Sequence, residues 1–160
     1  MGVKEQVATN TEKLYNEAMP EQANGKPTIY LDMDGVLADF FGGVEKLYGV
    51  SHWKQLASDK TKDLKQDVID RITGTNFFET LPKFNTADPL IAMVKKFTGG
   101  RFSILTSPLR GDHDNSARWK KVWINQNIEQ PDETIVTGRK EKYATTKGIS
   151  NILIDDRPIN

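Results

Sequence analysis

The 160-residue chain contains no cysteine. Disulfides and thiolate-held metal centres are therefore excluded. It also lacks an excess of charge of either sign, because 22 Lys and Arg balance 22 Asp and Glu. Without a basic stripe to track a phosphate backbone, duplex nucleic acid is not expected as a partner, and a small phosphorylated molecule is favoured. No apolar run approaches the length of a membrane span, and no charged-then-apolar amino terminus suggests export. These absences point to a soluble, cytoplasmic protein with no membrane partner. There is no internal repeat and no low-complexity stretch, and nothing in the sequence fixes an oligomeric state. A hydrophobic fraction of 37% over this length supports one domain with a modest core.

What is present is concentrated in Ile29-Tyr30-Leu31-Asp32-Met33-Asp34-Gly35-Val36-Leu37-Ala38-Asp39-Phe40. An apolar run ends in two carboxylates spaced i, i+2, and a glycine turns the chain at once. The run reads as a buried parallel strand, apolar on both faces. Residues i and i+2 of a strand share a face, so Asp32 and Asp34 emerge side by side at its carboxyl end. That is the edge at which open α/β sheets bind ligands. Two bare carboxylates about 4 Å apart repel by roughly 4 kcal/mol at an effective dielectric near 20. Such a pair calls for a cation, a shared proton or water. A calcium loop is disfavoured, because Val36, Leu37 and Ala38 stand where further oxygen ligands belong.

Three later segments repeat the pattern of an apolar strand with polar groups at its carboxyl end. They are Phe102 to Thr106 followed by Ser107-Pro108, Thr134 to Thr137 followed by Gly138-Arg139-Lys140-Glu141-Lys142, and Ile152 to Ile154 followed by Asp155-Asp156-Arg157-Pro158. A parallel sheet collects those ends on one edge, giving four carboxylates, a hydroxyl and a lysine around one crevice. Between the strands, helical patterns are expected over Phe40 to Tyr48 and Ser58 to Thr73. A third begins after Thr86 as cap, with Leu90, Ile91, Met93, Val94 and Phe97 facing the sheet. A fourth runs from Ser116 to Gln126 with Trp119, Val122 and Trp123 on one face. Val3, Val7, Leu14 and Met19 suggest a weakly amphipathic helix before Gly25-Lys26-Pro27. Strands alternating with helices predict an α/β fold with a parallel, doubly wound sheet.

The order acid pair, Thr, Lys, acid pair resembles the haloacid dehalogenase (HAD) superfamily of phosphotransferases. The wording of residues 32–40, Asn76-Phe77-Phe78, Thr106-Ser107-Pro108 and Ile154-Asp155-Asp156-Arg157-Pro158 is closer still to its 5'(3')-deoxyribonucleotidase branch. The resemblance covers roughly residues 27–160. It implies a three-layer Rossmann-like core from 27–40 and 80–160, a small helical cap inserted after the first strand at 41–79, and an amino-terminal extension over 1–26. Members of that branch continue for a further helix and strand beyond the last acidic pair, whereas this sequence ends at Asn160.

The resemblance also implies roles. Asp32 is the nucleophile, giving an aspartyl-phosphate, and Asp34 protonates the leaving oxygen and then activates water. Mg2+ is held by Asp32, the Asp34 backbone carbonyl and Asp156, with Asp155 completing or orienting the set. Thr106 and Ser107 meet the phosphoryl group, and Lys140 neutralises phosphate charge and keeps Asp32 ionised. Lys142 competes for that role. Lys120 stands where the family often has a lysine on the phosphate side, and Arg157 is placed to buttress the acidic pair. Phe40 and Trp53 match base-contacting aromatics, against the alternative of ordinary core packing, which is the expectation for Trp119 and Trp123. The expected substrate is a small-molecule nucleotide, a deoxyribonucleoside monophosphate. The alternatives are another small phosphate ester or a nucleic-acid 3'-phosphate, and a non-catalytic phospho-acceptor or binding module.

Overall fold

The computed structural model describes residues 26–58 and 63–156. The expectations for the amino-terminal extension, Arg157 and Pro158 lie outside these, apart from Lys26. Four strands form a parallel sheet: β1 (Ile29–Leu31), β2 (Ser103–Thr106), β3 (Glu133–Val136) and β6 (Ile152–Ile154), in the order β3-β2-β1-β6. Helices flank the sheet, as in Rossmann-like α/β folds. The central strands β1 and β2 are buried at every residue, whereas β3 and β6 are half-covered. Near-continuous apolar runs mark the centre of a parallel sheet for this reason. Tyr30 registers with both Ser103 and Leu153, so β1 is clamped between β2 and β6. A short antiparallel pair, β4 (Thr145–Thr146) and β5 (Ile149–Ser150), lies in the crossover from β3 to β6.

Four α-helices accompany the strands: α1 (Phe40–Tyr48), α2 (Leu64–Ile72), α3 (Ala87–Thr98) and α4 (His113–Asn127). Asp39, the last acid of the first motif, caps α1 by accepting a hydrogen bond from the Gly42 amide at 2.9 Å. The helix expected from Ser58 starts only at Leu64, because Asp63 caps it there and a 3-10 turn occupies Trp53–Ser58. On α3 the buried stripe is Ala87, Ile91, Val94 and Thr98. Met93, expected to face the sheet, is exposed, because the five apolar residues of that helix cover a wider arc than the sheet can bury. Thr86 sits at the cap position, but its hydroxyl caps nothing.

The helices of residues 40–80 do not keep a separate core. Val44, Val68, Ile72, Phe77 and Phe78 belong to one apolar cluster with Leu31, Ile91, Ile104 and Trp123. Trp123 is fully buried, as expected, and donates its indole N–H to the Leu81 carbonyl at 2.8 Å. A shared cluster ties the helical insertion to the sheet in one cooperative unit. Ile72→Ala is expected to cost about 2–5 kcal/mol. Urea unfolding followed by circular dichroism and by tryptophan fluorescence should still give one coincident transition. Two separated transitions would show that the insertion folds independently.

Candidate active site

The turn after β1 delivers both of its acids to the carboxyl edge of the sheet. The Met33 carbonyl accepts from the amides of Leu37 and Ala38 at 2.9 and 3.0 Å, which folds the chain back directly beyond Asp34. Asp32 is 4% exposed, and its amide donates to the Ile154 carbonyl of β6 at 3.0 Å. One Asp32 oxygen accepts from the Met33 amide at 2.7 Å, and the other from Lys140 Nζ at 2.9 Å. Lys140 also lies 3.7 Å from Asp155. Lys142, the competing lysine, is exposed. The geometry therefore joins Lys140 to the acid pair, as the sequence reading preferred.

Asp34 is served by a different cation. Lys120, on α4, is 1% exposed and donates to Asp34 Oδ2 at 2.8 Å, to Thr106 Oγ1 at 3.1 Å and to the Ser107 carbonyl at 2.6 Å. Its ammonium also sits 4.7 Å from the Phe78 ring centroid. Lys120 thus ties the tip of β1 to the tip of β2, a far more central place than the sequence reading gave it. The signal was available. Ser116, Lys120 and Trp123 are spaced i, i+4, i+7, so this lysine stands on the buried stripe of its helix, and a buried lysine needs partners. Because Thr106 accepts from Lys120, its own hydroxyl proton is left to donate into the crevice. The other Asp34 oxygen, Oδ1, is buried and has no hydrogen-bond partner among the described residues.

The second acid pair arrives from β6. One carboxylate oxygen from each of Asp32, Asp155 and Asp156 lies within 4.8 Å of the other two. The Asp34 carboxylate is outside that group and is held by Lys120. Any ligand from Asp34 is then its backbone carbonyl, as the resemblance implies. Burial pushes the Asp32 carboxyl up; the Lys140 ammonium opposes this, while Asp155 and Asp34 add to it. Burial likewise raises Asp156, reinforced by its hydrogen bond with Asp155 and by the charges of Asp155 and Asp32. If all four acids are ionised, two lysines leave two negative charges uncompensated. An oxygen-only donor set with that residual charge suits a hard divalent cation. Gly35 completes the fit. It has φ +78°, and a Cβ there would lie 2.0 Å from Asp156 Oδ2.

Asp32, Asp34, Gly35, Phe40, Phe41, Thr106, Ser107 and Asp156 line one crevice of about 360 Å³. Phe40 and Phe41 are also a wall of an adjoining apolar groove of about 690 Å³, to which Trp53 belongs. Phe40 is therefore both packed, edge-on to Phe77 at 5.6 Å, and facing the crevice. Trp53 does not reach the crevice. It is 37% exposed, with its ring 5.6 Å from that of Phe41. No protein-family model and no curated protein matches the chain. Among the described residues, no helix is long and apolar enough to cross a membrane.

Mg2+ is expected to stabilise the fold by about 2.7 kcal/mol at a hundredfold excess over Kd, read as a rise in Tm. Without a cation, ionising Asp32 and Asp156 costs stability as pH rises from the ordinary carboxyl range through their raised values. A cation binds the ionised forms, so the Mg2+ increment should be larger at about pH 7.5 than at about pH 5. Asp156→Asn and Gly35→Ala should each abolish it. A Tm indifferent to millimolar Mg2+ would refute the metal site.

Proposed function

We propose that the chain is a Mg2+-dependent phosphomonoesterase of the HAD type, hydrolysing deoxyribonucleoside monophosphates through an aspartyl-phosphate on Asp32. The observation that supports this most is the convergence of groups from four strand ends. Asp32 and Asp34 follow β1, Thr106 ends β2, Lys140 follows β3 and Asp156 follows β6. Phosphate monoesters resist hydrolysis more than almost any other biological linkage. A covalent intermediate flanked by fixed positive charge is an effective way to lower that barrier.

Each residue has a task that its surroundings allow. The Asp32 carboxylate, held in one rotamer by the Met33 amide and Lys140, attacks phosphorus as the bond to the leaving oxygen breaks. Asp34 gives that oxygen a proton from its unpartnered Oδ1, while Lys120 fixes Oδ2. A water then attacks the aspartyl-phosphate, its proton returns to Asp34, and inorganic phosphate leaves. Thr106 donates its hydroxyl to a phosphoryl oxygen, and Lys140 offsets charge at the attacking carboxylate. Mg2+, held by Asp32 and Asp156 with Asp155 beside them, would let a carboxylate approach a dianion. Phe40 and Phe41 offer faces against which a nucleobase can stack, a contact worth about 1–3 kcal/mol per base. A net charge of zero and a small crevice suit a small phosphorylated substrate better than a long nucleic acid.

Wild-type protein with Mg2+ should release phosphate from dUMP or dTMP. Asp32→Asn should reduce kcat by at least about 10⁴, because an amide in place of the attacking carboxylate cannot form the aspartyl-phosphate. Asp34→Asn should slow the reaction and accumulate labelled phospho-enzyme. Thr106→Val should cost about tenfold to a hundredfold. Equal turnover by Asp32→Asn and wild type would refute the mechanism. Stable phosphorylation of the wild type without release would mark a phospho-acceptor instead. A panel of sugar phosphates and 3'-phosphorylated oligonucleotides separates the nucleotide reading from its nearest rivals.

A further inference from the structure

The apolar groove beside the crevice is bordered by Phe40, Phe41, Trp53, Leu56 and residues of α2, with Lys65 and Arg110 as its charged members. No carboxylate among the described residues lines it. Among the described residues, neither cation forms an ion pair with an acid. This contrasts with Lys120 and Lys140, each committed to an aspartate. Arg110 follows Ser107 by three residues, and Ser107 lines the crevice. Its Cα is thus at most about 11 Å from that of Ser107 along the chain. Lys65 stands on α2, in a different wall of the same groove.

We propose that Lys65 and Arg110 form a second anion subsite, which makes a nucleotide carrying a second phosphate, such as a nucleoside 3',5'-bisphosphate, a better ligand than the monophosphate. The proposal rests on the phosphomonoesterase reading, since it takes the crevice as the seat of the first phosphate. One phosphate occupies the crevice near Asp32 and Thr106. The nucleoside lies against Phe40 and Phe41, and the remaining phosphate meets the Lys65 ammonium and the Arg110 guanidinium, which have no anion of their own among the described residues. Guanidinium and ammonium groups suit a phosphate well, the first as a planar fork and the second as a compact charge. The apolar walls exclude water from one side of that contact, and this strengthens it. Both cations are solvent-exposed, which keeps the gain moderate.

The test is calorimetric titration of dTMP and of thymidine 3',5'-bisphosphate into Asp32→Asn protein with Mg2+, where binding is read without turnover. The bisphosphate should bind about tenfold tighter. Lys65→Ala and Arg110→Ala should each reduce that ratio about threefold, and the double variant should bring it close to one. Lys65→Arg should retain it, as should Lys142→Ala, which removes an exposed lysine elsewhere. A ratio near one in the parent protein, a ratio unchanged in the double variant, or no binding of either nucleotide would overturn the proposal. Phosphate release from dTMP by wild type is measured alongside. If release occurs and the ratio is one, only the second subsite is wrong. If release fails while the ratio and its loss are observed, the subsite stands and the hydrolytic reading falls.

Discussion

The site depends on the division of two ammonium groups between two aspartates. Asp32 and Asp34 leave the same strand on the same side, and an unrelieved pair would repel by several kcal/mol. Lys140, from the segment after β3, takes the first, and Lys120, from α4, takes the second. Because the lysines come from different elements, each acid is turned in its own direction. Asp32 joins Asp155 and Asp156, whereas Asp34 stays with Thr106 and Ser107. Two residues two positions apart thereby occupy different electrostatic settings.

That division is possible only because the framework around it is stiff. The central strands are buried throughout, and the helical insertion packs into the same apolar cluster as the sheet. Phe40 and Phe78 lie where that cluster meets the crevice, with Phe78 under the Lys120 ammonium. Hydrophobic packing and charge placement are thus joined at the same side chains. A shift in the insertion would be felt at Lys120 as well as at the aromatic wall.

The sequence disclosed the parts that obey short-range rules. The apolar strands, their polar ends and the glycine turn could be read because strand period and parallel-sheet geometry leave few alternatives. The preference for Lys140 over Lys142 agrees with the geometry, although it came from resemblance. Lys120 was named only by resemblance, and its burial between Asp34 and Thr106 was not foreseen, because a lysine on a helix is ordinarily a solvated charge. Only its place between Ser116 and Trp123 on the buried stripe argued otherwise. Trp53 was harder. Neither a base contact nor core packing describes a ring that lines an open groove, and no local pattern encodes a groove made by α1, α2 and the loop after β2. The start of α2 turned on one cap at Asp63, and the exposure of Met93 on how wide an arc of α3 the sheet covers.

The pairing of β1 with β6 has a temporal meaning. Ile29 aligns with Ile152, and Asp32 hydrogen-bonds Ile154 across the same seam. The first and last described strands of the sheet are neighbours, so Asp32 meets Asp155 and Asp156 only through the most sequence-distant pairing in the sheet. Loop closure of that length is among the later and slower events of folding. During synthesis the emerging polypeptide would present Asp32 early yet remain without its trio of acids until β6 left the ribosome. The carboxylates that repel one another most would be brought together last, once the apolar framework able to hold them had formed.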